Sequence, residues 1–228
     1  MKRTARISDL FVSYQGEGLY CGEKQIFVRF YGCNLNCDYC DEFHSQCERR
    51  VSKSALLKEV LNLSRESKTR VVSITGGEPL MQTDFLKEFL PLLKSRGFKI
   101  LLETNAVLPN KFAEVRDFTD IISADIKLPS ATGRNLWRRI ERFLSSVPDG
   151  SYVKIVVTSK TRSEEIEKAF GLLKSLKKQI PIFIQPATRF MKVRPPKMAF
   201  FRSLMRLAEN YKIEYEILPQ QHVLWGVK

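Results

Sequence analysis

Between Gly32 and Asp41 the chain reads GCNLNCDYCD, which sets Cys33, Cys37 and Cys40 at C-x3-C-x2-C spacing. Thiolates at such spacing bind soft metals or iron-sulfur clusters. A structural zinc site calls for four protein ligands, commonly completed by a second Cys or His pair. The chain has only two histidines and no such pair downstream, so His44 or Cys47 would have to serve as the fourth ligand. A [4Fe-4S] cubane is saturated by four thiolates, and three leave one iron open. An open iron can chelate a small molecule, and the adjacent amino and carboxylate groups of S-adenosylmethionine suit that role in radical chemistry.

A second signal is GGEP, from Gly76 to Pro79. The glycine pair lets backbone approach a ligand with no Cβ in the way, and Glu78 offers a carboxylate to an ammonium group. Alone, GGEP reads as a strand-to-helix turn. Next to three cluster-spaced thiols it reads as a binding loop.

These motifs need strands to carry them. QIFVRF (Gln25 to Phe30) precedes the cysteines, and RVVSIT (Arg70 to Thr75) precedes the glycines. KILLET, DIISAD, YVKIVVT, IPIFIQ and IEYEIL, beginning at Lys99, Asp120, Tyr152, Ile180 and Ile213, continue the series. Their β-branched and aromatic content predicts buried parallel strands. Helical periodicity marks Ser54 to Leu63, a segment from Ser163 through Leu176, and a last helix from Pro195 to Tyr211. The alternation predicts an α/β fold with a parallel sheet, open or curled into a partial (β/α) barrel. ETNA (Glu103 to Ala106), ADIK (Ala124 to Lys127) and QPAT (Gln185 to Thr188) also end strands. Five motifs thus meet at the carboxyl ends of the strands, where parallel α/β folds build active sites.

Composition narrows the setting. A chain of 228 residues with 43% hydrophobic content is expected to form a single domain over 1–228. No apolar leader or membrane-length run is present, so a soluble, cytoplasmic protein is expected. Five cysteines, three of them in one loop, suit metal ligation in a reducing compartment better than disulfides. The net charge of +13 comes from basic residues scattered along the chain, which reads as a solvated surface rather than a nucleic-acid site.

The cysteine loop followed one strand later by GGEP resembles the radical S-adenosylmethionine superfamily. FVSYQGEG (Phe11 to Gly18), RFYGCNLNC (Arg29 to Cys37) and PQQHVLWG (Pro219 to Gly226) extend the resemblance to the 7-carboxy-7-deazaguanine synthase family, over nearly the whole chain. The resemblance implies conversion of 6-carboxy-5,6,7,8-tetrahydropterin to 7-carboxy-7-deazaguanine, with ring contraction and loss of ammonia, in 7-deazapurine (queuosine) biosynthesis. A cluster on Cys33, Cys37 and Cys40 would cleave S-adenosylmethionine to a 5'-deoxyadenosyl radical that takes hydrogen from pterin C6 and later returns it. No side chain need act as a classical acid or base.

By motif position, Tyr14, Gln15, Gly16, Arg29 and Thr75 would meet the pterin, with the Arg29 fork on its carboxylate. Tyr39, Cys40, Asp41, Gly77, Glu78, Lys127, Gln185, Pro186, Ala187 and Thr188 would line the S-adenosylmethionine side. Where the family often carries a Mg2+-binding Thr, this chain has Glu42, itself a suitable hard oxygen ligand. ADIK stands where Ser-Pro-Lys is commoner, so only Lys127 carries over. The implied partners are a flavodoxin- or ferredoxin-like electron donor and a second copy of the chain. Cys21 and Cys47 read as ordinary thiols, His222 as fixing the C-terminal segment, and Trp137 and Trp225 as core or interface anchors. The rival readings are a glycyl-radical-enzyme activase, which shares the cluster spacing but not S-x-Q-G-E-G, and a zinc-binding RNA module.

Overall fold

The computed structural model describes residues 4–40, 48–176, 178–188 and 193–227. Its strands are β1 (Thr4–Tyr14), β2 (Lys24–Phe30), β3 (Arg49–Ser52), β4 (Val71–Gly76), β5 (Lys99–Thr104), β6 (Ile121–Asp125), β7 (Tyr152–Val157), β8 (Ile182–Pro186) and β9 (Glu216–Ile217). They form one sheet in the order β3-β1-β2-β4-β5-β6-β7-β8-β9. From β2 to β9 neighbouring strands are parallel, and β1 is antiparallel to both of its neighbours. The helices are α1 (Lys53–Ser67), α2 (Thr83–Lys94), α3 (Pro109–Ala113), α4 (Pro129–Thr132), α5 (Trp137–Leu144), α6 (Ser163–Ser175), α7 (Met198–Tyr211) and α8 (Gln221–Trp225). No described helix is long and apolar enough to cross a membrane.

Because successive strand residues face opposite sides, each strand serves two purposes. Ile26, Val28, Phe30, Val72, Ile74, Ile100, Leu102, Ile122, Val153, Ile155 and Ile184 face the helices and form the main core with Leu56, Phe85, Phe89, Phe143 and Phe170. The alternate residues face the other way. Near the strand starts these are Leu101, Ile121, Tyr152 and Phe183, a small apolar cluster of their own. Further along they are Arg29, Thr75, Glu103, Asp125, Lys154 and Gln185, which line a cavity.

That inner face is concave. On a flat sheet the five strand steps from β1 to β7, at ~4.8 Å each, would separate them by about 24 Å. Yet Glu17, in the turn after β1, forms an ion pair with Lys154 of β7. Glu17 also accepts hydrogen bonds from Gln185 Nε2 of β8 at 3.1 Å and from Gln220 Nε2 at 2.9 Å. The sheet therefore curls, and the segment after β1 straps its two sides together. Gly18 makes the strap possible. Its φ is +63°, and a Cβ there would lie 2.0 Å from the Tyr152 ring.

The predicted strands are present, with one reduced. Only Glu216–Ile217 pair within the segment expected as a strand from Ile213 to Leu218, and both are exposed. An edge strand with acidic side chains and no covering layer has little to hold it longer. Periodicity leaves β1, β3, α2, α3, α4, α5 and α8 unmarked. Pro91 interrupts the reading of α2, yet the helix continues through it and buries Phe85, Leu86, Phe89, Leu90 and Leu93.

Candidate active site

The cysteine loop leaves the carboxyl end of β2 and is fastened to the loop after β4. Gly77 N donates to Phe30 O at 3.1 Å and Glu78 N to Gly32 O at 2.9 Å. A Cβ on Gly77 would lie 2.3 Å from Gly32 O and 3.0 Å from Cys33 Cβ, so only glycine permits this approach. Further along the loop, Asp38 N donates to Ala131 O at 3.0 Å and Arg134 Nη1 to Asn34 O at 3.3 Å. Lys160 Nζ bonds Asp38 Oδ2 at 2.8 Å.

Cys33, Cys37 and Cys40, none of them in a disulfide, lie on the wall of a cavity of about 490 Å³. Burial pushes the Cys33 thiol up, and pushes Cys37 up to about 11. At neutral pH these are therefore protonated, poor nucleophiles unless a bound cation displaces the protons. Among the described residues, no three potential ligands converge on a single ion position. A cubane does not require that convergence, because it presents a separate iron to each of three thiolates. The thiols, the cleared glycine backbone and the cavity they share fit such a cluster with a small molecule beside it.

The rest of the wall is polar and tightly bonded. Glu103 accepts from Gln15 Nε2 at 2.8 Å, Ser73 Oγ at 3.0 Å and Thr75 Oγ1 at 3.1 Å. Asp125 joins two lysines, with Lys127 Nζ at 2.9 Å and Lys154 Nζ at 3.4 Å. Lys127 Nζ also lies 5.3 Å from the centre of the Tyr39 ring. Burial alone would push the Glu17 pKa up, but the Lys154 ammonium and its hydrogen bond, with Gln220 and His222, outweigh it and hold the carboxyl at about 2. Burial likewise opposes the charge on Lys154, and Asp125, Glu17 and Glu103 overcome it, raising its pKa. Opposite these charges, Arg29 carries its guanidinium 5.5 Å above the ring of Phe11, which stacks on Phe27.

The cavity brings together Tyr14, Gln15, Gly16, Arg29, Cys33, Cys37, Tyr39, Cys40, Thr75, Gly77, Lys127, Gln185, Ala187 and Thr188 from the expected set. Asp41 and Glu42 lie outside the described residues, as do His44 and Cys47. Pro186 ends β8 but does not reach the wall.

Glu78 lies apart from the rest of the expected set. It is fully buried and absent from the cavity wall. Its carboxylate accepts from Leu80 N at 3.0 Å, Thr104 Oγ1 at 2.9 and 3.0 Å, and Asn105 N at 2.8 Å. Burial pushes its pKa up to about 7, against the pull of those donors. Its oxygens are thus engaged inside the protein, at the base of the loop that carries Gly76 and Gly77.

Glu17, Glu103, Asn105, Asp125, Lys154 and Gln220 also line the cavity; ETNA and ADIK bring Glu103, Asn105 and Asp125 to the active face without assigning them a role, and Glu17, Lys154 and Gln220 are not singled out by the sequence. Charged residues inside otherwise apolar strands, Glu103 in KILLET and Lys154 in YVKIVVT, were the available signal. His222 lies on the wall too, and a Cβ on Gly16 would meet its Nδ1 at 2.4 Å. It thus packs the C-terminal segment against the strap, as Gln221 N does by donating to Gly16 O at 2.9 Å. Trp137 is a core residue and Trp225 is exposed.

Comparison with known proteins bears on this site. The Radical SAM superfamily profile matches residues 27–177. The 7-carboxy-7-deazaguanine synthase of Geobacter sulfurreducens is 34% identical, over 99% of this chain and 98% of its own. The enzyme of the same name from Methanopyrus kandleri is 37% identical, over 96% of this chain and 92% of its own. The crystal structure of QueE from Escherichia coli shares the fold, with a TM-score of 0.67 over 96% of this chain and 95% of that one, at 23% identity. Because the profile spans the strands that carry the thiols and glycines, and the relatives are more than 30% identical over nearly the whole chain, the chain belongs to the 7-carboxy-7-deazaguanine synthase family of the radical SAM superfamily.

Proposed function

We propose that the protein converts 6-carboxy-5,6,7,8-tetrahydropterin to 7-carboxy-7-deazaguanine with loss of ammonia, the reaction its relatives' name implies. The observation that carries this reading is one cavity that joins three cysteine thiols and the Gly76–Gly77 backbone to a guanidinium and a polar wall. The superfamily implies a [4Fe-4S] cluster and S-adenosylmethionine, which together supply a 5'-deoxyadenosyl radical when bound. Cys33, Cys37 and Cys40 would hold the cluster. The Gly77 backbone, Tyr39, Lys127 and the Gln185, Ala187 and Thr188 side would receive S-adenosylmethionine. Arg29, Tyr14, Gln15, Gly16 and Thr75 would hold the pterin. The protein's own work is to orient the two molecules and exclude water from the reacting carbon. Anaerobic reconstitution with iron and sulfide, followed by assay of the pterin with S-adenosylmethionine, tests the proposal. Absence of the deazaguanine product from fully loaded protein would overturn it.

Arg29 gives a sharper test of substrate. A guanidinium braced against Phe11 can grip a carboxylate with two parallel hydrogen bonds, which an ammonium cannot reproduce. Arg29→Lys should lower pterin turnover about 100-fold, an effect of ~2.7 kcal/mol. Slow cleavage of S-adenosylmethionine without pterin should persist. Equal loss of both activities would assign Arg29 to the fold instead.

Magnesium is a proposed third component, with Glu42 as its ligand. A carboxylate and a substrate oxygen, with several retained waters, satisfy Mg2+. Turnover should rise with added Mg2+, and Glu42→Ala should lose that dependence while Glu42→Thr keeps it. A fully loaded enzyme indifferent to Mg2+ and to chelator would remove the metal from the reading.

The net charge of +13, and Arg134 and Lys160 fastened to the cysteine loop, favour an acidic flavodoxin- or ferredoxin-like electron donor. A single domain over 1–228, a cytoplasmic location and a homodimer complete the proposal.

A further inference from the structure

Glu78 belongs to the GGEP loop yet does not line the cavity. Its partners lie at the end of β5. By accepting from Thr104 Oγ1 and Asn105 N, it holds the turn that follows that strand. The turn includes Ala106 at φ +56°, a left-handed conformation that a Cβ disfavours and that surrounding bonds must impose.

That turn presents the side chain of Asn105, which is only 4% exposed. Val107 N donates to Asn105 Oδ1 at 3.3 Å, which fixes the oxygen end of the amide and turns the nitrogen the other way. Asn105 Nδ2 has two hydrogens. One goes to Asn34 Oδ1 at 2.8 Å, and the other faces Cys33 Sγ at 3.8 Å, within reach of the larger sulfur atom. The loop itself gives Cys33 Sγ a donor from Leu35 N at 3.4 Å. Asn105 adds one from a strand two places away in the sheet.

We propose that Asn105 is a built-in hydrogen-bond donor to the Cys33 sulfur and that Glu78 is the positioning residue that aims it, so that the pair raises the reduction potential of the cluster. The inference rests on the reading of Cys33 as a cluster ligand. Donation to a ligand sulfur withdraws electron density from the irons and favours the reduced state, and such bonds are among the main determinants of cluster potential. The geometry also gives the GGEP carboxylate a task that needs no contact with S-adenosylmethionine.

The test uses anaerobically reconstituted holoenzyme, with iron and sulfide content measured first and the midpoint potential then read by redox titration followed by electron paramagnetic resonance. Asn105→Ser retains an oxygen for Val107 N but is too short to reach Cys33. It should show a more negative midpoint potential at full iron content. In Glu78→Gln the NH2 end must confront the N–H of either Leu80 or Asn105, a donor against a donor, which loosens the turn that aims Asn105 without removing it. It should shift the potential the same way by a smaller amount, and the double variant should shift no further than Asn105→Ser. A purely structural role would lower thermal stability and leave the potential unmoved. Unchanged potential in fully loaded Asn105→Ser overturns the proposal. If that variant fails to hold iron, unchanged potential in Glu78→Gln overturns it instead. Failure of the unaltered protein to bind iron at all would refute the cluster reading, a separate result recognised before any potential is measured.

Discussion

Cys37→Ala should abolish formation of 5'-deoxyadenosine from S-adenosylmethionine under reducing conditions, as should Cys33→Ala and Cys40→Ala, while Cys21→Ala cleaves normally. Three thiolates are the fewest that hold a cubane and still leave an iron for a chelating ligand, so each is indispensable. Neighbouring side chains offer no obvious replacement, because among the described residues no other cysteine lines the cavity. Cys21 lies off the wall, and its thiol is pushed up by burial and then by Glu17, which leaves it protonated and unreactive. Anaerobic chromatography of the nucleoside product, with iron content measured on the same sample, makes the comparison. Normal cleavage by Cys37→Ala would sink the cluster assignment.

Glu17→Ala has the largest expected effect on stability. The Glu17–Lys154 pair is buried, and deleting one member strands the other's charge, which typically costs about 3–5 kcal/mol. Lys154 keeps Asp125 at 3.4 Å, so the lower end of that range applies. For a chain of this size the midpoint of thermal unfolding should fall by on the order of 10 °C. Replacing both charges, in Glu17→Leu with Lys154→Met, should recover part of the loss, because it removes the stranded ammonium and Asp125 keeps Lys127, while Glu103 loses its nearby positive charge. The pH dependence has a definite sign. The folded-state pKa of Glu17 is depressed to about 2, so its contribution is complete above the ordinary carboxylate range and is lost as pH falls through that range toward 2. Glu17→Ala should lack that part of the acid sensitivity. A single variant as stable as the unaltered protein would show that the strap does not depend on this pair.

Much of the parallel sheet was legible because buried strands advertise themselves by β-branched runs, and their ends by glycine and polar motifs. What those runs concealed was their second face. Within YVKIVVT the eye takes Lys154 for an interruption, whereas the two-residue period turns it inward beside Asp125 and Glu17. Within KILLET, Glu103 does the same. β1 escaped notice because its residues alternate irregularly and its partners lie on either side of it in the sheet. The partners of Glu78 were hidden for a different reason. A motif states that a carboxylate is present, but only the fold shows that Thr104 and Asn105 donate to it.

The strap from Gln15 to Gly18 joins residues far apart in the sequence. Glu17 is bonded by Gln185 and Gln220, which lie 168 and 203 positions further along. Contacts of such long separation carry a high loop-closure cost and are slow to form. The rim of the bowl is therefore expected to be the last part of the wall to settle on refolding from denaturant, and pulse-labelled hydrogen exchange that protects Gln15 to Gly18 before the central strands would contradict that order of assembly.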